Sequence, residues 1–279
     1  MHKAEELSRL LSSGVKLLSA AGIQTPELDA KLLLQDVTGF SSVQMISNSN
    51  SIVVADKAGE FYMHLERRLN HEPVHRILGC REFYGRLFQL SPETLIPRPD
   101  TELLVDRAIV SNAKEILEIG TGSGAICVSL ACELPGANIV ATDISQEALD
   151  TAKANSETYG VSDRISFLIA DIFAGVSGQY DLIVSNPPYI PSSDIASLEE
   201  EVRQFDPARA LDGGEDGYDF YRHIFGHARN FLSENGQVIV EVGIGQAQFV
   251  STLAVEGGFS EVIVIKDLNG IDRVVIAEI

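Results

Sequence analysis

Leu7, Leu10, Leu11, Leu17 and Leu18 recur at the spacing of one helical stripe, and Gly22 stands where a left-handed residue would end that helix. A second helix is predicted from Pro26, with Thr25 as its cap. Glu27 and Asp29 lie in its first turn, where the positive end of the backbone dipole favours carboxylates. Its buried face is Ala30, Leu33, Leu34 and Val37, and Gly39 follows. A further helical segment spans about Ala55 to Leu69, so residues 1–73 read as a small all-helical N-terminal domain.

Between His75 and Asp100 the apolar stretches are short and broken by Gly79, Gly85, Pro92, Pro97 and Pro99. Proline cannot donate to a ladder and biases its predecessor towards extended geometry, so residues 74–100 are expected to form a β-hairpin and an extended connector. From Lys114 onward, apolar runs of strand length alternate with helical stretches: 115–119, 138–143, 165–170, 180–185, 237–242, 261–265 and 272–279. Near-continuous β-branched runs separated by helices indicate a mostly parallel sheet covered on both faces. Only Asp267, Leu268, Asn269 and Gly270 join the last two runs, too few for a crossover helix, so the last strand should be antiparallel. Residues 101–279 thus read as one α/β domain.

Composition narrows the function classes. The chain has 279 residues, is 45% hydrophobic, lacks Trp and has a formal net charge of −19. A strongly acidic chain with few rings has an unfavourable field for phosphate backbones and few stacking platforms, which argues against stable nucleic-acid binding. Cys80, Cys127 and Cys132 form no CxxC pair, and no uninterrupted apolar run approaches ~18 residues. A cytoplasmic protein with reduced thiols and no membrane segment is expected.

Candidate chemistry begins where the first sheet strand, ending at Glu118 and Ile119, meets Gly120-Thr121-Gly122-Ser123-Gly124. Glycines let a backbone approach a ligand closely and can leave amides at a helix N-terminus free to bind it. Because Ala125 follows, the stretch also satisfies the dinucleotide pattern GxGxxA, so at this point a nicotinamide or flavin enzyme stands beside an adenosine-bearing ligand such as S-adenosylmethionine. Asp143 ends the next strand and is placed to accept from ribose hydroxyls; Asp171 ends the one after and is placed to meet an adenine amino group.

The fourth strand runs into Asn186-Pro187-Pro188-Tyr189. Two consecutive prolines fix φ and remove two backbone donors, leaving carbonyls that can face a substrate. An amide or exocyclic amino nitrogen is a poor nucleophile because its lone pair is delocalised. If the Asn186 side-chain oxygen and the Pro187 carbonyl accept its two N–H groups, it is held in line with a sulfonium methyl at about 3–3.5 Å. Tyr189 would pack against the flat group and confine it.

Glu118 to Gly124, Asp143, Asp171 and the tetrapeptide resemble the class I, Rossmann-like amino-methyltransferases. Leu95-Ile96-Pro97-Arg98-Pro99-Asp100-Thr101-Glu102 and Leu211-Asp212-Gly213-Gly214-Glu215-Asp216-Gly217 resemble the HemK/PrmC family, the glutamine methyltransferases of peptide chain release factors. The resemblance implies methyl transfer from S-adenosylmethionine to N5 of the glutamine in the Gly-Gly-Gln motif of class 1 release factors. It implies cofactor contacts from Glu118, Gly120, Thr121, Gly122, Ser123, Gly124, Asp143, Asp171, Ile172 and Asn186, and glutamine contacts from Asn186, Pro187, Pro188 and Tyr189, with Asn186, Pro187 and Tyr189 as the catalytic set. Ile172 stands where the family often has an aromatic residue, so apolar packing is expected there. Leu95 receives no catalytic role. Three alternatives remain: a ribosomal-protein glutamine methyltransferase, an adenine-N6 nucleic-acid methyltransferase, and a silent S-adenosylmethionine-binding module.

Other features have plainer explanations. His71-Glu72-Pro73-Val74-His75 spells HExxH, but Pro73 would break the helix that zinc ligation requires. His223 and His227 lack a third ligand, Arg98 is expected to pair with an acidic neighbour, and Glu199, Glu200 and Glu201 read as a solvated helix face. No metal site is expected.

Overall fold

In the computed structural model, which describes residues 3–279, the chain divides into two units. One runs up to Gly79 and also takes in Glu200–Phe205; the other comprises Cys80–Glu199 and Asp206–Ile279. The first contains β1 (Glu5–Glu6), α1 (Leu7–Ala20), α2 (Pro26–Thr38), α3 (Ser42–Ser47), β2 (Ile52–Val53), α4 (Ala55–Leu69) and α5 (Val74–Leu78). It is therefore not wholly helical, since β1 and β2 form a short antiparallel pair.

Leu7, Leu10 and Leu18 of α1 are buried and Leu11 packs beside them, but Leu17 is 43% exposed. One residue before Leu18, it is turned ~100° around the helix and leaves the stripe. Gly14 continues the stripe instead: a Cβ there would come within 2.8 Å of the Phe61 ring of α4, so the missing side chain admits the ring. Thr25 precedes α2 but does not cap it; its hydroxyl donates to the Asp29 carboxylate at 2.8 Å. The reason is burial. Asp29 is 5% exposed and Arg68, 4% exposed, donates to it through Nε at 2.7 Å, so a carboxylate out of water recruits every nearby donor. Arg68 Nη2 reaches Glu201 at 2.9 Å. Glu201 is thus half of an ion pair in the helical unit and not part of a solvated face.

The helical unit also runs further than residue 73. Pro73 starts α5, whose Val74 and Ile77 join the helical core, and Gly79 closes it with φ +68°. His71, at φ +62°, lies between α4 and α5, so no continuous helix carries both histidines of the HExxH match.

The second unit opens with the hairpin β3 (Cys80–Phe83) and β4 (Arg86–Gln89), joined by Tyr84 and Gly85, both at positive φ. That two-residue turn matches the natural twist of paired strands. Then come α6 (Glu102–Ser111), β5 (Glu115–Ile119), α7 (Ala125–Glu133), β6 (Asn138–Asp143), α8 (Gln146–Thr158), β7 (Ile165–Ile169) and β8 (Tyr180–Ser185). They are followed by α9 (Glu200–Phe205), which belongs to the helical unit, then α10 (Asp219–His227), β9 (Leu232–Glu241), α11 (Ala247–Glu256), β10 (Glu261–Lys266) and β11 (Asp272–Glu278).

Seven strands form one sheet in the order β10-β11-β9-β8-β5-β6-β7, with β11 antiparallel to both neighbours and the pairs from β9 to β7 parallel. Separate apolar cores cover its two faces, one including Phe83 and Phe88 of the hairpin with α7, the other Tyr221 and Phe225 of α10 with α11. Strand order runs outward from β5 in both directions, and loops that depart to opposite sides leave a crevice at the C-terminal edge. Asn155 of α8 ties the hairpin to that edge: it accepts from Gln89 N at 2.9 Å and donates to Gln89 O at 3.0 Å and Ser123 O at 2.8 Å. Among the described residues no helix is long and apolar enough to cross a membrane.

The buried Arg68–Asp29 pair makes a direct prediction. Arg68→Met strands the Asp29 charge and should cost the helical unit about 3–5 kcal/mol, read from hydrogen exchange of α2 and α4 amides in mild urea. Adding Asp29→Leu should recover more than half; unchanged exchange in Arg68→Met would refute this account of the pair.

Candidate active site

The loop after β5 places Gly120, Gly122 and Gly124 at φ +75°, +55° and +80°. A Cβ at Gly120 or Gly122 would meet nothing within 4 Å, so these positions need glycine for conformation and present open space to the pocket. Gly124 needs it for packing as well, since a Cβ there would fall 2.9 Å from that of Ala152.

The loop amides, expected to be free, are not. Those of Gly120 and Thr121 donate to the Thr142 carbonyl, that of Gly124 to Thr121 O, and that of Gly122 to Asp143 Oδ2 at 2.9 Å. This closes most of the anion cradle on which a dinucleotide pyrophosphate depends. Behind the loop, Glu118 is fully buried; its Oε2 accepts from the Thr121 hydroxyl at 2.7 Å, while Oε1 has no protein partner. Burial pushes the Glu118 carboxyl up to about 7, against the hydrogen bonds from Thr121 and Cys127. A crevice backed by Glu118 and Asp143, with four of its loop amides committed, suits a cationic nucleoside better than a polyanion. The residues therefore fit S-adenosylmethionine.

Gly120 to Ser123, Asp143, Asp171 and Ile172 line one pocket together with Asn186, Pro187 and Pro188. Asp143 spends one oxygen on Gly122 N and the other on Ser145 N at 2.9 Å, so it braces the loop besides facing the pocket. Asp171 is exposed at the rim. Ile172 is held at φ +53°, an uncommon and strained conformation for a β-branched side chain. Three expected contact residues stand apart from the lining: Glu118 behind the loop, Gly124 at the start of α7, and Tyr189.

Tyr189 turns back into the fold and packs against the core that holds Tyr221, instead of closing over the pocket. Glycines make this possible. A Cβ on Gly243 would lie 3.0 Å from the Tyr189 ring, and one on Gly213 only 2.8 Å from its Cα. Gln246 Nε2 donates to Tyr189 O at 2.9 Å, and burial beside Glu241 pushes the phenol up to about 12. The Leu211 to Gly217 stretch now has a physical role, because Ile190 N donates to Leu211 O and Gly213 N to Ile190 O. It splints the chain directly after the tetrapeptide.

The sequence reading missed two residues. Asn186 Nδ2 donates to Thr101 Oγ1 at 3.0 Å, and that hydroxyl donates to Glu241 Oε2 at 2.6 Å in a buried contact. Glu241 could have been noticed as an acid ending the apolar run Val238 to Val240; Thr101 lay unmarked inside a recognised motif. The same connector carries Leu95, Pro97 and Arg98 into the pocket lining. It is pinned by Arg98 to Asp206 at 2.7 Å and by Asp100 to Arg273 at 2.9 Å. His223 and His227 remain on α10, where His227 Nδ1 meets its neighbour's carbonyl at 3.0 Å. Among the described residues no group of three or more potential ligands could hold a metal ion.

A carboxyl at about 7 in the folded chain, against the ordinary 4.5, keeps its proton through that window while the unfolded chain loses its own. The stability this confers is complete below ~4.5 and lost as pH rises through about 7. Thermal melts of Glu118→Gln without cofactor should accordingly decline less between pH 5 and 8 than those of the parent. Parallel declines would contradict the burial argument.

Comparison with known proteins identifies the family and the fold. Residues 9–79 match the family model described as PrmC N-terminal domain, and residues 99–202 match Methyltransferase small domain. A release factor glutamine methyltransferase from Agrobacterium fabrum is 44% identical over 96% of this chain and 96% of its own. One from Bradyrhizobium diazoefficiens is 45% identical over 85% of this chain and 82% of its own. The crystal structure of a methyltransferase from Pyrococcus furiosus shares the fold, with a TM-score of 0.54, 19% identity and coverage of 76% of this chain and 96% of that one. By this near-full-length likeness, joined to the methyltransferase sheet and its pocket, the chain belongs to the release factor glutamine methyltransferase family.

Proposed function

We propose that this chain transfers the methyl group of S-adenosylmethionine to the side-chain amide nitrogen of a glutamine in a class 1 peptide chain release factor, the glutamine of its Gly-Gly-Gln motif. The observation that carries this reading is the fixed orientation of Asn186 at the end of β8, with Nδ2 committed to Thr101 and Oδ1 left as an acceptor beside two prolines.

Bound S-adenosylmethionine supplies the electrophile, a methyl carbon on a positively charged sulfur. Gly120 to Ser123, Asp143, Asp171 and Ile172 would hold it, with Glu118 behind the loop favouring its positive charge. Asn186 Oδ1 and the Pro187 carbonyl accept the two N–H groups of the glutamine amide. Its nitrogen is thereby aimed with its π face towards the methyl, and electron density is drawn onto it. Pro188 adds no competing donor. No strong base is required beforehand, because the nitrogen grows more acidic as it takes the methyl and then sheds a proton to water.

The acidic balance of the chain, −19, supports a protein acceptor over a nucleic acid. Arg98 and Asp206 hold the connector that shapes the acceptor side of the pocket.

Asn186→Ala should lower kcat on intact release factor about 100- to 1,000-fold, while calorimetry shows S-adenosylhomocysteine affinity within about threefold of the parent. Mass spectrometry of the parent reaction should place one added methyl on the glutamine. Methyl label entering DNA or RNA instead, or equal loss of turnover and cofactor affinity in Asn186→Ala, would overturn the reading.

A further inference from the structure

A hydroxyl has one proton. That of Thr101 points to Glu241 Oε2 at 2.6 Å, so only lone pairs remain for Asn186, whose Nδ2 supplies the donor at 3.0 Å. The direction of the first hydrogen bond therefore dictates the second, and the second dictates which end of the Asn186 amide faces the pocket. We infer that Thr101 and Glu241 are positioning residues that set Asn186 with its oxygen towards the acceptor, and that the setting holds only while Glu241 accepts from Thr101. The inference deepens the glutamine-methyltransferase reading and rests on it.

If Glu241 carries a proton and donates to Thr101, the hydroxyl proton is released towards Asn186. The amide must then turn over so that Oδ1 receives it, and Nδ2 swings into the pocket. Donor then meets donor at the acceptor amide, and its nitrogen loses the partner that aims it. The consequence is a turnover that depends on a carboxyl two hydrogen bonds away from Asn186 and three from the reacting nitrogen.

The surroundings of Glu241 place this change within reach of ordinary pH. Thr101 and Asp100 face it from the turn before α6, Asn186 and Tyr189 from the segment after β8, Tyr221 from α10 and Arg273 from β11. Tyr221 donates its hydroxyl to the Glu241 carbonyl at 2.8 Å, and Arg273 is itself paired with Asp100 at 2.9 Å. Burial lifts the Glu241 carboxyl to about 7, with Asp100 adding to the rise and Thr101, Arg273 and Asn186 opposing it. The anionic form, which can only accept, therefore predominates above pH 7; below it the carboxyl carries a proton that it can donate to Thr101.

Glu118 titrates in the same range, so the test must separate the two. With intact release factor and saturating S-adenosylmethionine, kcat of the parent should fall by up to about tenfold per pH unit below 7. Glu241→Gln, whose amide oxygen accepts from Thr101 at any pH, should flatten this limb. Thr101→Val should lower kcat at least about tenfold at pH 8 with S-adenosylhomocysteine affinity unchanged by calorimetry, and Thr101→Ser should restore most of it. In the unmutated protein without ligand, the side-chain amide resonances of Asn186 should move with a midpoint near pH 7, a readout that needs neither turnover nor a stable variant. Parental kcat in Thr101→Val, an unaltered acid limb in Glu241→Gln, or immobile Asn186 resonances would each overturn the inference. An inactive Asn186→Ala beside a fully active Thr101→Val sinks this inference alone; an active Asn186→Ala sinks the glutamine reading itself.

Discussion

A carboxylate shut away at the end of a strand must find donors, and in this fold that requirement organises the acceptor site. Glu241 ends β9, fully enclosed, and accepts a hydrogen bond from the hydroxyl of Thr101 in the connector that follows the hairpin. Through Thr101 the demand passes to Asn186 at the end of β8. Three separate stretches are thus held in register by two hydrogen bonds. Their energy in water would be small; out of water, leaving any member unpaired is costly, and that asymmetry makes the arrangement specific.

The cofactor side follows the same economy of partners. The amides of Gly120, Thr121, Gly122 and Gly124 after β5 are consumed within the chain, one of them by Asp143, so the glycines contribute shape and access more than free donors. This distinguishes the crevice from a phosphate cradle of similar sequence. Glycine does further work where no ligand comes near: Gly213 and Gly243 let the fold close around Tyr189 and so stiffen the tetrapeptide from behind. The segment beyond it, Glu200–Phe205, is built into the helical unit, where Glu201 meets the buried Arg68.

Much of this was legible in the sequence. The apolar runs marked all seven sheet strands because a parallel sheet covered on both faces leaves little room for polar residues, and a four-residue connection forced the antiparallel last strand. The glycine loop, the strand-end aspartates and the tetrapeptide were local signals, and all but Gly124 and Tyr189 among them line the pocket. What failed to show depends on tertiary partners. Nothing local says that Asp29 is buried against Arg68 and so draws the Thr25 hydroxyl, that Glu201 pairs with Arg68, or that Tyr189 turns inward. Thr101 and Glu241 are 140 positions apart and acquire meaning only when the sheet brings them together. Helix α3 was legible and overlooked: Ser41 and Gln44 form a reciprocal capping box at its start.

The central claim is that Asn186 presents an oxygen, and not a nitrogen, to a glutamine amide lying next to the transferable methyl. A crystal structure with S-adenosylhomocysteine and a peptide containing Gly-Gly-Gln tests it most directly. The account requires the glutamine nitrogen within hydrogen-bond distance of both Asn186 Oδ1 and the Pro187 carbonyl, facing the ligand's sulfur. A glutamine bound elsewhere, or met by Asn186 Nδ2 while Thr101 is bonded to Oδ1, would contradict it.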